Sequence, residues 1–419
     1  MSLYAVRAWL GKGAWTIVDQ GLFAGSNFIL SVLLARWLSV QDYGAYSIAL
    51  TVFWMAGTVH TGLLSEPMLV FGPGRFKDNL ASYTAFMLRG HAALTLCIAM
   101  LLMSSGLLFG MRGNAMLAQV FQSLAVAQFF ILLMWMMRKA CYVRLRPYLA
   151  SQAGAIYALI MLPAAYLLFT RHVLNSWSAI MLLCAASLAA SLWILVSLRI
   201  NPFARIAASV STEAIGNHLT YGRWAAATGI IMWIPEQVPF LVLGAQHGLD
   251  KTAAAKALWN FAMPVAHAGT ALSVLLVPIF VRIRTRPGFV RTVAVLTGVV
   301  SSSAIAYWMC IGLWGRPLMM LFYKGRYIEY TPDLWLIGAI TVASVILSVL
   351  TAHVRALERP AYVFWAYSGA SALCLTLGLA LMYRFGVTGA LMSMALSLFL
   401  AAALMVYFLT RILKSKNQD

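Results

Sequence analysis

The chemistry open to this chain rests on a few polar side chains set inside long apolar runs. Glu236 is the most informative. It sits in the sequence Trp233-Ile234-Pro235-Glu236-Gln237-Val238-Pro239. Two prolines one turn apart each remove a backbone donor, which leaves the carbonyls of Ile231 and Pro235 without their usual helical partners. Trp233, Glu236 and Gln237 share a helix face at i, i+3, i+4. Such a face makes Glu236 and Gln237 candidate cavity or ion-coupling residues. The competing reading is a charge near enough to the outer interface to be solvated.

Asp19, Gln20 and Asn27 form a second candidate set, with Ser26 beside them. They fall on one face of a helix, so the stripe faces a wet cavity with Asp19 as a proton or cation site. Alternatively, Asp19 is an interfacial acid paired with a basic loop residue. Thr51, Trp54, Thr58, Thr61 and Ser65 recur three and four residues apart. Such a hydroxyl-rich face with one indole suits either a sugar path or plain helix packing; His60 and Glu66 flank it. Lys256, Asn260 and Pro264 share a face, with His267 deeper. Lys256 and Asn260 are candidates for contact with an anionic or sugar ligand, against a lysine that snorkels to the surface. Arg89 and Arg223, with Lys256, are candidate contacts for an anionic headgroup, or in the case of Arg89 for lipid alone.

The elements that position these groups are legible in the composition. Of 419 residues, 62% are hydrophobic and 10% charged, against roughly 25% charged in an average soluble domain. Lipid is the solvent that removes the need for a charged surface. The apolar runs are long and lack the alternation of barrel strands, so they are helices. They fall at 14–38, 43–64, 82–109, 115–136, 149–169, 176–198, 221–243, 254–281, 289–314, 332–353, 362–383 and 387–410. The expected fold is therefore an all-α integral membrane protein of about twelve transmembrane helices. The third span is the soft spot, since Arg89 and His91 interrupt its start; residues 78–90 are expected to lie along the cytoplasmic surface.

With the N-terminus inside, cytoplasmic segments carry 21 of the 30 Lys and Arg, among them Arg7, Lys12, Arg138, Arg282, Arg284, Arg286, Arg291, Lys414 and Lys416. That bias places both termini in the cytoplasm. The connection near 199–220 divides the helices six and six. The chain thus reads as residues 1–200, a cytoplasmic interfacial linker at 201–220, and residues 221–419, two pseudo-equivalent six-helix bundles. A shift of 211 residues brings Pro67 onto Pro278 and Trp15 near Trp224, a weak repeat of the kind two-bundle transporters carry.

Several function classes are excluded. The net charge of +19 is spread over loops with no basic aromatic domain, so nucleic acid is not a partner. The five cysteines have no metal-ligand or CxxC spacing, and neither a metal nor an organic cofactor is implied. No GxxxxGK[ST], HExxH or GxSxG motif occurs. The chain reads as a transporter, not an enzyme, with a proton or sodium gradient as a possible energy source.

Two passages resemble a known group. Leu33-Leu34-Ala35-Arg36-Trp37-Leu38-Ser39-Val40-Gln41-Asp42-Tyr43-Gly44-Ala45-Tyr46 resembles the first hairpin of polysaccharide flippases. These belong to the multidrug/oligosaccharidyl-lipid/polysaccharide exporter superfamily. In them the glycine matching Gly44 makes a tight outer turn. Leu318-Met319-Met320-Leu321-Phe322-Tyr323-Lys324-Gly325-Arg326-Tyr327 is similar to a segment before the family's tenth helix, with Tyr323-Lys324 as a departure. The resemblance implies a V-shaped pair of six-helix bundles in the bacterial inner membrane. It implies a polyprenyl-pyrophosphate-linked sugar as cargo, flipped by alternating access among membrane lipids, with polysaccharide polymerase and chain-length proteins as partners. It assigns no cargo-binding residue. One alternative is an ion-coupled multidrug exporter of the same superfamily, which would need several cavity acids where only Asp19 and Glu236 are placed. Another is a membrane polysaccharide polymerase or ligase, which would need a large basic outer loop; the longest is near 315–331.

Overall fold

A computed structural model describes residues 3–283 and 288–416. Arg284 and Arg286 lie outside the described residues, as do the side chains of Arg7, Lys12, Pro278, Lys414 and Lys416. The described chain is helical throughout, with no strand. Its helices are α1 (Leu3–Trp37), α2 (Val40–His60), α3 (Glu66–Phe71), α4 (Leu80–Met111), α5 (Ala115–Val143), α6 (Pro147–Thr170), α7 (Ser176–Ser197), α8 (Ala208–Gln246), α9 (Leu249–Trp259), α10 (Met263–Ile283), α11 (Phe289–Leu313), α12 (Gly315–Tyr323), α13 (Leu334–Ala356), α14 (Ala361–Leu373) and α15 (Leu379–Lys416).

Among the described residues, ten helical stretches are long and apolar enough to cross a bilayer. One of them, Ala361–Arg411, has 51 residues, more than twice the roughly 20 a single pass needs. Non-helical backbone at Gly386 (φ 55°, ψ −123°) divides it in two. The apolar α10, 21 residues long, supplies the remaining pass with α9 before it. The twelve passes are thus present, six before the 201–207 connection and six after it.

The chain forms two compact units, each with its own interior. One holds residues up to Leu30 together with Trp37–Ile230; the other holds Ser31–Arg36 and the chain from Ile231 onward. The boundary therefore falls inside α8 and not in the loop before it. Of the expected linker 201–220, only 201–207 is non-helical, and α8 begins at Ala208. The polar face that made 208–220 look interfacial is used within the first unit. Arg75 Nη1 donates to Asn217 Oδ1 at 2.6 Å, and His218 bridges the Tyr83 hydroxyl (2.8 Å) and the Leu63 carbonyl (2.9 Å). Further along α8, a side chain at Gly62 would lie 2.6 Å from the backbone nitrogen of Ala226. One at Gly229 would lie 2.4 Å from the methyl of Thr58. Small residues let the two backbones approach this closely, as in lipid-embedded helix pairs. Thr58 on the hydroxyl stripe therefore faces a neighbouring helix. Between α2 and α3 the chain makes a π-helical turn at Thr61–Ser65.

The third pass differs from expectation. Residues 80–111 form one continuous helix of 32 residues, with no break between a surface segment and a spanning one. His91 is tolerated because it is buried against His60, their ring nitrogens 2.9 Å apart. A paired imidazole avoids part of the cost of an isolated polar group in an apolar interior.

The hairpin motif also resolves differently. Gly44 is buried inside α2, and the chain turns at Leu38–Ser39 instead. The reason is the Asp42 carboxylate and the cap beside it. Ser39 Oγ caps α2 by accepting from Asp42 N (3.0 Å) and donates to Asp42 Oδ2 (2.7 Å). Asp42 Oδ1 accepts from both the backbone N–H (3.1 Å) and the hydroxyl (2.9 Å) of Ser176, the first residue of α7. One carboxylate thus ties two helix starts, where anions are favoured. Asp42→Ala is expected to lower stability by about 1–2 kcal/mol, a lost cap with its charged hydrogen bonds. Thermal unfolding in detergent checks this; an unchanged Tm would show the contact to be idle.

The two resemblance motifs meet within the second unit. Arg36 Nη1 donates to the Leu321 carbonyl (3.4 Å), and Arg326 Nη1 to the Ala35 carbonyl (3.3 Å). Arginines exchanged between segments nearly 300 residues apart pin the end of α1 beside α12. Local periodicity carries no sign of such a contact.

Candidate functional site

The residues singled out above fall into one polar cluster in the first unit and two in the second. In the first unit, Asp19 is fully buried on α1. Arg138, near the end of α5, grips it with two parallel bonds, Nε to Oδ1 at 3.0 Å and Nη2 to Oδ2 at 2.8 Å. The Tyr142 hydroxyl, one turn further along α5, donates to Oδ2 as well, and Gln20 Nε2 donates to the same oxygen at 3.2 Å. Beneath the pair, the guanidinium lies 4.1 Å from the centre of the Phe23 ring. The Asn27 amide donates to the Phe23 carbonyl (2.7 Å), and its oxygen accepts from Tyr157 (3.0 Å). Asp19, Gln20 and Asn27 are therefore brought together, but as a closed network whose acceptors are occupied. Bidentate charge-assisted pairs of this kind are the strong ones. Hydropathy ends the fourth pass near residue 136 because Arg138 interrupts the run. The helix continues to Val143, and Arg138 enters it because Asp19 supplies the counter-charge.

Glu236, in the second unit, is half-buried and lines a cavity of about 270 Å³ with Ser344, Ser348, Thr351, Tyr367 and Arg355. No hydrogen bond or ion pair is made by its carboxylate among the described residues. The hydroxyls of Ser344 and Ser348 donate back to their own helix, to Ile340 O and Ser344 O at 2.9 Å each. Their lone pairs thus remain free to face the cavity. Of the two carbonyls freed by the prolines, that of Ile231 accepts from Ser371 Oγ at 2.7 Å. Ser371 is the residue sequence reasoning missed. It stands on α14, just before a π-helical turn at Cys374–Gly378. The kinked α8 is therefore stabilised from outside, leaving Glu236 as the one acid of this cavity.

Gln237 turns away from Glu236. Its side-chain oxygen accepts from Lys256 Nζ at 3.1 Å, and the same ammonium stands 3.8 Å over the Phe240 ring. Lys256 is buried, and no carboxylate lies within ion-pair distance of it among the described residues. An amide oxygen and a ring face satisfy a cation only in part, so an anion would complete the site. One turn along, Asn260 Oδ1 accepts from Ser31 Oγ (2.7 Å) and its amide donates to the Tyr323 hydroxyl (3.1 Å). Tyr323 donates in turn to the Ala257 carbonyl (2.8 Å). Asn260 thus holds structure together beside Lys256. The remaining candidates are separate. Arg89 Nη2 donates to the Ala204 carbonyl at 2.9 Å, fastening the 201–207 connection to α4. Arg223 is exposed on α8.

Elsewhere in the second unit, Lys251 Nζ donates to the Tyr330 hydroxyl at 2.7 Å. This bond, with Asp250 and Glu329 nearby, raises the Lys251 ammonium above its ordinary value. It remains a cation at the surface throughout the physiological range.

No protein-family model matches the sequence, and no curated protein matches it. Solved structures match it by fold. An inward-facing multidrug resistance MATE family transporter of the MOP superfamily aligns with a TM-score of 0.80 at 14% identity, over 96% of this chain and 99% of that one. The lipid II flippase MurJ, in an inward closed conformation, aligns at 0.77 with 12% identity, over 96% and 87%. A MOP superfamily transporter from Pyrococcus furiosus, described as having a binding pocket of reverse polarity, aligns at 0.60 with 13% identity, over 97% and 93%. The chain therefore has the all-helical membrane fold of MOP superfamily transporters.

Proposed function

We propose that this chain flips a polyprenyl-pyrophosphate-linked oligosaccharide across the bacterial inner membrane, by alternating access, with both termini in the cytoplasm. The observation that carries this reading is the polarity of the polar clusters. Asp19 is neutralised by Arg138, whereas Lys256 is buried with no carboxylate among the described residues to answer it. A carrier of cationic drugs needs several acids left open to the cargo, and of the two acids singled out only Glu236 is open. A pyrophosphate anion suits Lys256, and Arg89 and Arg223 add positive charge elsewhere on the chain. Glu236, in its own cavity, is the group for a coupling proton or sodium ion. The likeness to a lipid II flippase supports a lipid-linked cargo, and the somewhat higher likeness to a multidrug transporter, 0.80 against 0.77 in TM-score, supports the alternative.

Deletion of the gene separates the two. Cells without the protein should accumulate lipid-linked sugar in the cytoplasmic leaflet while dye efflux is unchanged. An unaltered leaflet distribution together with reduced efflux of cationic dyes would overturn the flippase reading in favour of multidrug export.

A further inference from the structure

The second unit carries a groove that neither the polar clusters nor the proposed cargo uses. It is an open concavity of about 550 Å³ between α10 and α11. Leu276, Ile279 and Phe280 form one wall, Val295 and Val299 the other, and Arg291 stands among them. Its floor is rigid. Phe280 is buried and meets Phe289 edge-on at 5.8 Å, and both rings pack on the buried His353 of α13. The walls are open: Ile279 is 50% exposed, and Val295 and Val299 are each 59% exposed.

Among the described residues lining it, charge is confined to one end. Arg291 lies in the first turn of α11, directly after Gly288, whose φ of 83° caps that helix. Arg282 lies in the last turn of α10 and is exposed. Thr292 directs its hydroxyl back to the Gly288 carbonyl at 3.2 Å, so among the described residues the free polar groups at this end are the two guanidiniums. The distribution of basic residues puts this end at the cytoplasmic leaflet, whose anionic lipids attract such groups.

We propose that the groove is a binding site for one anionic phospholipid, its acyl chain against the valine and isoleucine walls and its phosphate on Arg291. Charge argues for this occupant: the walls are apolar along their length and the basic groups stand at one end, the pattern that complements an acyl chain carrying an anionic headgroup. A lipid held by charge at one end and by a fitted wall along its length differs from the exchanging annulus, which has only the second contact. The site is independent of what the transporter carries.

Native mass spectrometry of the purified full-length protein tests it, with phosphatidylglycerol and phosphatidylcholine of identical acyl chains as probes. Wild-type protein should retain phosphatidylglycerol about fivefold better, the preference expected from one basic contact. Arg291→Gln should bring the two lipids to parity while leaving phosphatidylcholine retention unchanged. Val295→Trp, which fills the groove from a lipid-facing position, should reduce retention of both. No preference in wild-type protein, or a preference that survives Arg291→Gln, overturns the proposal. Displacement of phosphatidylglycerol by equimolar undecaprenyl phosphate also overturns it, and assigns the groove to the carrier lipid.

Discussion

Arg138→Ala is expected to destabilise the first unit by about 3–5 kcal/mol, the cost of stranding one partner of a buried ion pair. Arg138 supplies two of the four hydrogen bonds that hold Asp19, whose surface is wholly buried. Without it, a carboxylate remains in an apolar interior with a phenol and an amide for company. Asp19→Asn should be nearly as harmful, because the guanidinium loses its charge partner and stands over Phe23 alone. The informative variant is the double one, Asp19→Asn with Arg138→Gln. It removes both charges, keeps the volume at position 19 and shortens the side chain at position 138, so it should recover more than half of the loss. Thermal unfolding in detergent, run as a double-mutant cycle, measures the coupling. A pair worth less than about 1 kcal/mol would behave like a solvated surface pair and contradict the burial described for it. Transport by the single variants should fall in step with the amount of folded protein.

This pair also shows where sequence reading runs out. Helix spans are legible because bilayer thickness fixes the length of an apolar run. The sixth pass begins at Ser176 in sequence and structure alike. Ends are misjudged where a charge enters a helix, since hydropathy counts Arg138 as loop. Its counter-charge lies 119 positions away, and only the fold brings the two together. The same holds for α8, whose first three turns look interfacial until Arg75 and Tyr83 supply partners for Asn217 and His218. Local rules succeeded in another way at Pro235, where they require a freed carbonyl at Ile231. They could not name Ser371, which answers it from 140 residues away. His60 and His91 repeat the lesson, two isolated imidazoles in the sequence and one contact in the fold. Composition and period thus determine the passes, while the pairing of polar groups belongs to tertiary structure.

The second large effect concerns Glu236, and there the missing partner is the point. Glu236→Gln should reduce ion-driven transport by about tenfold to a hundredfold, with the protein still present in the membrane at its normal level. The range follows from losing a charged hydrogen bond to a coupling cation, about 1.5–3 kcal/mol. Stability should hold because the glutamate makes no hydrogen bond or ion pair among the described residues, and glutamine keeps its size in the 270 Å³ cavity. This contrast with Asp19 is what makes the two acids separable. Removing a paired carboxylate unfolds; removing an unpaired one uncouples. Glu236→Asp, which keeps the charge but shortens the reach, should restore part of the activity and its dependence on the ion gradient. The measurement is uptake in inverted vesicles with an imposed proton or sodium gradient, against the same vesicles without one. If Glu236→Gln transports at the wild-type rate and still responds to the gradient, the coupling role fails. If instead its response is lost while gradient-free exchange of cargo continues, the carboxylate is the cation's seat, and the serine and threonine hydroxyls of α13 around it are the remaining ligands to vary next.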